Sequence, residues 1–215
     1  MSFFPSLSAP LQLGDLLVRF PQSVPPLLHL HDRILRDRSP LTVAERELIA
    51  AYVSGLNACT YCHGSHVIAA EAFGIAPSLI AALLVDIETS GVADPLKPLL
   101  RYIEKLTRAP SRLAPDDAAA VYAAGWSEQA LFDAIMVCAL FNFMNRVVNG
   151  AGITLDPRAM PAEDIASRSA RMAQTGDDPY AAPRSYGALL ARWGINTDDT
   201  TSGNPQPADD APGDG

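Results

Sequence analysis

Two cysteines with two residues between them, a histidine one turn further on and a glutamate twelve positions upstream form the spacing Glu47-x11-Cys59-x2-Cys62-x3-His66. On a helix, positions i, i+3 and i+7 share a face, so Cys59, Cys62 and His66 would meet at one site. Placed in a first turn, Cys59 would feel free backbone N–H groups and the positive end of the helix dipole, both of which favour a thiolate. Two thiols at this spacing can close a small disulfide. A peroxide attacked by one thiolate leaves a sulfenic acid, and a second thiol within reach condenses with it before further oxidation. His66 can take or give the proton that this chemistry moves, and Glu47, on a preceding helix, can orient and charge the imidazole. The residues thus make a set of thiol, base and orienter.

Two other readings use the same residues. A non-catalytic redox sensor or binding module would employ the pair as a switch, and a structural zinc domain would take Cys59, Cys62, His66 and Glu47 as ligands, although such sites favour further cysteine or histidine over carboxylate. The other candidate groups have plainer accounts. Cys138 lies among Val137, Ala139 and Leu140, where a cysteine acts as a small buried hydrophobe. His63 is turned about 100° from Cys62 on a helix, toward a partner or interface. His29 and His31 read as structural or exposed, while Asn142, Asn145 and Arg146 read as polar packing or a subunit contact. Tyr52 and Tyr61 either pack or line an entrance to the thiols.

The elements that must position these groups read as helices throughout, with no alternating strand pattern. Residues 1–40 form a proline- and leucine-rich N-terminal arm with a short helix over Leu27–Arg36. Thr42-Val-Ala-Glu45 is a capping box and predicts a helix to about Ser54, ended by Gly55. A second helix should start close to Cys59, with Asn57 as N-cap candidate, and run to Phe73-Gly74, making a helical hairpin. Helical spacing continues over Pro77–Ser90, Pro95–Thr107, Asp116–Ala124 and Ser127–Val148, the last closed by Asn149-Gly150. The helical domain is expected over residues 41–152, a C-terminal extension over 153–195 with a short amphipathic helix at Arg184–Trp193, and a polar, disordered tail over 196–215.

The chain has 215 residues, net charge −8 and 48% apolar residues, enough for one core and too acidic to track phosphates, so no nucleic-acid partner is expected. The first ten residues have neither the basic start nor the apolar run of a secretory signal, and charged or polar residues break every stretch long enough to span a bilayer. A cytoplasmic location without membrane attachment is the expectation. In that compartment a close cysteine pair is catalytic, redox-active or metal-bound more often than structural.

The four-residue pattern resembles that of the alkylhydroperoxidase D and carboxymuconolactone decarboxylase superfamily. The phrases Ser39-Pro-Leu-Thr-Val-Ala-Glu-Arg-Glu-Leu-Ile49 and Phe141-Asn-Phe-Met-Asn-Arg146 look like its uncharacterised peroxidase-related branch, and the resemblance covers Leu27–Gly152. It implies an all-α helical bundle bearing the Cys-x2-Cys hairpin, assembled as a dimer, trimer or hexamer. It also implies a hydroperoxide substrate and a dithiol reductant, of which a lipoylated protein is the best-known kind. No cofactor or metal is implied. By the resemblance Cys62 meets peroxide, Cys59 resolves it, and Glu47 and His66 relay protons, whereas the helix dipole alone favours Cys59 as the more acidic thiol. Tyr61 stands where alkylhydroperoxidase D tends to carry another histidine, which affects the choice of donor. Superfamily members that decarboxylate a lactone lack the cysteine pair.

Overall fold

The computed structural model describes residues 3–172 and 178–195, so the tail expected to be disordered lies outside the described residues. Those residues form an all-α bundle with no strand among them. Its centre is the hairpin of α3 (Val43–Leu56) and α4 (Thr60–Ala72), against which α8 (Glu128–Gly150), α6 (Leu96–Arg108) and α5 (Pro77–Val85) pack. Further out, α7 (Pro115–Ala123) covers α6, and α2 (Val24–Leu35) lies across α3 and α8. The core cluster joins Leu48, Ile49, Tyr52, Leu99, Leu100, Val137 and Phe141, all 1% exposed or less.

Local chemistry explains the hairpin's shape. Thr42 accepts from the Glu45 N–H at 3.1 Å while Glu45 accepts from the Thr42 N–H at 2.7 Å, the reciprocal cap the sequence predicts. Gly55 does not end α3. It lies inside the helix because a Cβ there would fall 2.6 Å from the Leu84 side chain, so the glycine serves close packing and the helix continues to Leu56. Asn57 then caps the C-terminus of α3 and not the start of α4. The reversal is made by Ala58 at φ +52°, a left-handed conformation that costs an alanine roughly 1–2 kcal/mol, and Cys59 itself becomes the N-cap of α4.

Other boundaries shift for similar reasons. Expected to reach Ser90, α5 stops at Val85 because the Asp86 carboxylate captures the Glu88 N–H at 3.0 Å and the Thr89 hydroxyl at 3.0 Å, forming a local turn. The final bundle helix starts on Ser127, whose hydroxyl accepts from the Ala130 N–H at 3.1 Å, and runs through Gly150. By length and composition α8 is apolar enough to cross a membrane, yet half of that stretch is buried, and Val137, Cys138, Phe141 and Met144 belong to the bundle's own core.

The flanking segments are more helical than the sequence suggests. A short α1 (Leu13–Arg19) precedes α2, whose two prolines occupy its first turn, where their missing N–H groups cost nothing. After α8, α9 (Ala162–Met172) follows a tight turn at Pro157, and α10 (Ala188–Arg192) forms within the predicted Arg184–Trp193 stretch. That turn closes on α4 at Gly64, where any Cβ would collide with Asp156.

Candidate active site

Four elements carry the site's polar atoms into the interior. From α3 comes Glu47 at 0% exposure, and from α4 come Cys62 and His66 at 5% and 8%, with Cys59 at 0% just ahead of them. One carboxylate oxygen of Glu47 lies 2.6 Å from Nδ1 of His66. A carboxylate there places the ring proton on Nδ1 and leaves Nε2 as the free acceptor. The edge of the imidazole meets the ring of Phe141 of α8 at a centroid distance of 4.3 Å, which fixes its tilt.

Glu47 has a second cation. The other carboxylate oxygen lies 2.6 Å from Nη1 of Arg36, and the two side chains are 1% and 0% exposed. Burial alone would push the Glu47 carboxyl up, but Arg36 and His66 together outweigh it and hold the group down at about 2. The Arg36 guanidinium is clamped between the rings of Phe73 and Tyr186, 5.4 and 5.2 Å from their centroids. Tyr186 belongs to the C-terminal extension and also packs against His31, with ring centroids 5.0 Å apart. Burial lowers His31 to about 4 although its Nδ1 bonds the Leu27 carbonyl at 2.8 Å, so the ring is held neutral.

All three cysteines are free thiols. The Cys59 and Cys62 thiols share a hydrogen bond, which pulls Cys59 down to about 7 against its burial and, with burial added, pushes Cys62 up. The shared hydrogen bond thus favours the thiolate at Cys59, the sulfur at the start of α4. Asn145 of α8 hydrogen-bonds both sulfurs and lowers both thiols. It is held by its own amide donating to Ser54 Oγ at 3.0 Å and by Asn57 donating to its carbonyl oxygen at 2.9 Å. Asn57 also donates to Asn142 at 3.1 Å, and Asn142 in turn contacts the Cys138 sulfur at 3.4 Å. Burial pushes the Cys138 thiol up, in keeping with a core residue.

The sulfur pair is roofed by apolar side chains. Leu11 and Leu16 from the N-terminal segment and Val148, Ala151 and Ile153 from the end of α8 pack on it, with Phe4, Leu7 and Tyr61 at the edge. Two surface clefts, one at Arg38–Pro40 with Tyr180 and one joining Tyr52 to Leu83–Glu88, are lined by neither cysteine nor by His66. With Cys59 and Cys62 0% and 5% exposed, access to the thiols is narrow.

On this hairpin Glu47 pairs with His66 and Cys59 with Cys62, but no three His, Cys, Asp or Glu side chains among the described residues converge as metal ligands. The four-ligand zinc arrangement does not form here. His63 faces away and bonds the Ala51 carbonyl at 2.9 Å. His29 packs beside Gly187. Tyr52 points to Glu104 on the far side and lines no entrance to the thiols. Sequence reasoning missed Arg36 and Tyr186, read His31 as structural or exposed, and read Asn145 as packing or a subunit contact. Nothing in the spacing ties Tyr186 to Cys59, since 127 positions separate them, whereas Arg36 lay one helix ahead of the motif, at the end of the predicted arm helix.

Comparison with known proteins follows the same lines. Residues 22–94 match the Carboxymuconolactone decarboxylase family. No curated protein matches the chain. Among solved structures, an uncharacterized peroxidase-related protein from Silicibacter sp. TM1040 is 24% identical, with TM-score 0.58 over 65% of this chain and 71% of that one. A second, from Ralstonia eutropha JMP134 and described as an alkylhydroperoxidase AhpD core, is 21% identical, with TM-score 0.63 over 70% of this chain and 77% of that one. The likeness is one of fold.

Proposed function

We infer that this chain, which carries the fold and, over residues 22–94, the sequence pattern of the carboxymuconolactone decarboxylase and alkylhydroperoxidase D superfamily, reduces hydroperoxides with its Cys59–Cys62 dithiol. The observation that carries the reading is the pairing of two free, hydrogen-bonded thiols at the start of α4 with an imidazole one turn further on, held by a buried carboxylate.

The cycle balances without a cofactor. Cys59 first gives its proton to the imidazole of His66; Cys62, the slightly more open sulfur, then passes its own proton along the shared hydrogen bond to Cys59 and attacks the outer oxygen of the hydroperoxide. The O–O bond breaks, Cys62 becomes a sulfenic acid, and the departing alkoxide takes a proton from His66. Cys59 then displaces hydroxide from the Cys62 sulfur. Water leaves and a disulfide remains. An external dithiol, of the lipoyl kind, reduces that disulfide by two exchange steps and is itself oxidised.

Peroxide consumption with dithiothreitol or reduced lipoamide tests this directly. Wild type is expected to turn over many times, Cys62→Ser not at all, and Cys59→Ser once, leaving one added oxygen on Cys62 by mass spectrometry. Full turnover by Cys62→Ser would remove the role given to that sulfur. A second reading, a stoichiometric redox switch, draws on the burial of both sulfurs, 0% and 5% exposed, which slows exchange with any donor. A single equivalent of peroxide consumed by wild type in excess dithiol would favour it.

A further inference from the structure

A run of three asparagines leads from the surface to the cysteine pair, and its direction is set at the outer end. Arg146, which can only donate, gives Nη1 to Oδ1 of Asn142 at 3.1 Å, and the Cys138 carbonyl, which can only accept, takes Nδ2 of Asn142 at 3.0 Å. Asn142 therefore turns its oxygen to Asn57. Asn57 answers with Nδ2 at 3.1 Å, and the same Nδ2 reaches Oδ1 of Asn145 at 2.9 Å. Asn145, 1% exposed, is thereby held with its oxygen toward Asn57 and its Nδ2 hydrogens free for other acceptors. One goes to Ser54 Oγ at 3.0 Å, and the other is left for the sulfurs of Cys59 and Cys62, both of which the amide hydrogen-bonds.

We propose that Asn145 is the fixed donor that holds the negative charge of the reduced cysteine pair, and that Asn57, anchored through Asn142 to Arg146, positions it by deciding which end of its amide meets the sulfurs. The inference rests on the dithiol cycle above for its purpose and on the hydrogen-bond directions for its content. A thiolate accepts hydrogen bonds and cannot donate, so an amide locked with its nitrogen toward the pair favours the charged form over the neutral one. The opposite orientation would present an oxygen and favour the neutral thiol. Because the amide reaches both sulfurs, charge that passes from Cys59 to Cys62 along their shared hydrogen bond keeps the same donor. A disulfide carries no such charge and gains little from the amide. Asn145 therefore stabilises the dithiol side of the couple, which makes the disulfide easier for a dithiol donor to reopen.

The groups that the surrounding elements turn toward the pair do not supply the same effect. The N-terminal segment meets the sulfurs with Leu11 and Leu16, and Asp15 of α1 accepts from the Gln12 N–H at 3.2 Å. The end of α8 adds Val148 and Ala151, while its Arg146 is engaged with Asn142. On the hairpin, Glu47 pairs with Arg36 and His66, His63 is bonded to Ala51, and Tyr61 stands at the edge of the apolar cluster. At the turn that closes on α4, Asp156 is paired with Arg158. Besides Asn145, the hydrogen bonds to the sulfurs come from the pair's own thiol and from the Cys62 N–H, and both remain when Asn145 is replaced.

The test is the pH titration of the thiolate by its ultraviolet absorbance in the full-length protein, with the spectrum of the variant carrying both Cys59→Ser and Cys62→Ser subtracted, beside the equilibrium of each protein with dithiothreitol. In that equilibrium the two cysteines give two electrons and two protons to oxidised dithiothreitol, which becomes the dithiol, and the Cys59–Cys62 bond forms as the reagent's disulfide breaks. In Asn145→Leu the absorbance is expected to rise about one unit higher in pH than in wild type, as the loss of one hydrogen bond to a charged group implies. The equilibrium of that variant should lie roughly fivefold further toward disulfide at about pH 8 and coincide with wild type at about pH 5.5, where both dithiols are fully protonated. Asn57→Ala, which frees the amide to turn, should move the titration in the same direction by less, and it carries the test if Asn145→Leu does not fold. A titration unchanged from wild type in either variant would overturn the proposal, and so would an equilibrium displaced equally at both pH values, which is what a merely structural role gives. A wild type that differs from its variants as described yet turns over no peroxide would instead count against the peroxidase reading and leave this one standing.

Discussion

His31 sits 4% exposed between Phe141 and Tyr186, and its folded state takes up a proton only near pH 4 because burial disfavours the imidazolium. Unfolded, the same ring protonates from about 6.5 downward. The unfolded state therefore binds more protons across that interval, and the stability present above it drains away as the pH falls from about 6.5 to about 4. His63, lowered by burial as well, acts in the same direction. Urea unfolding followed from neutral to pH 4 should show a falling midpoint, and His31→Phe should flatten that fall; an unchanged slope would mean the ring is hydrated. Glu47 contributes only further down, since a carboxyl held at about 2 loses its stabilising charge as the pH drops below its ordinary value of 4.5. None of this could be seen in the sequence, where His31 looks like any arm residue. Glu47 and His66 were visible because their spacing along two helices is fixed by helical geometry, whereas the burial of His31 depends on the chain closing over it from residue 186.

The N-terminal segment and the cysteine pair share one apolar cluster, so displacing the segment should uncover the thiols. Leu11 is 4% exposed there, and an aspartate in its place would have to bury a charge or leave. Leu11→Asp is expected to raise the rate of Cys62 alkylation by roughly tenfold through local opening, with little change in the helical signal. A rate equal to wild type would place the entrance elsewhere. At this scale most helices were legible, because capping and periodicity are local: Thr42 with Glu45 and Ser127 did what their types suggest. The misplaced boundaries were those set by tertiary contact. Gly55 reads as a helix stop but answers to Leu84, and Asn57 reads as a start but serves the asparagine cluster with Asn142 and Asn145.

Across the whole molecule, the two ends of the described chain are tied to the hairpin by buried polar groups. Arg46, 0% exposed, donates to the carbonyls of Ile34, Asp37 and Tyr180 at 3.1, 2.7 and 2.8 Å, joining the ends of α2 and the C-terminal extension to α3. Arg46→Met leaves those carbonyls without their donor and is expected to cost about 3 kcal/mol or more in denaturant unfolding. A loss below about 1 kcal/mol would mean that the carbonyls find other partners. The Arg36–Glu47–His66 group has a different consequence, seen by comparison with Arg38–Asp178, whose side chains are 76% and 40% exposed. Dissolved ions weaken a pair they can surround and leave one they cannot reach. Moving a proton from a cysteine to the imidazole redistributes charge inside the enclosure without altering its total, so no counter-ion need enter or leave. Thiol reactivity toward an uncharged reagent such as iodoacetamide should therefore be the same in dilute buffer and in concentrated potassium chloride, and a strong salt dependence would show that the enclosure admits the surrounding electrolyte.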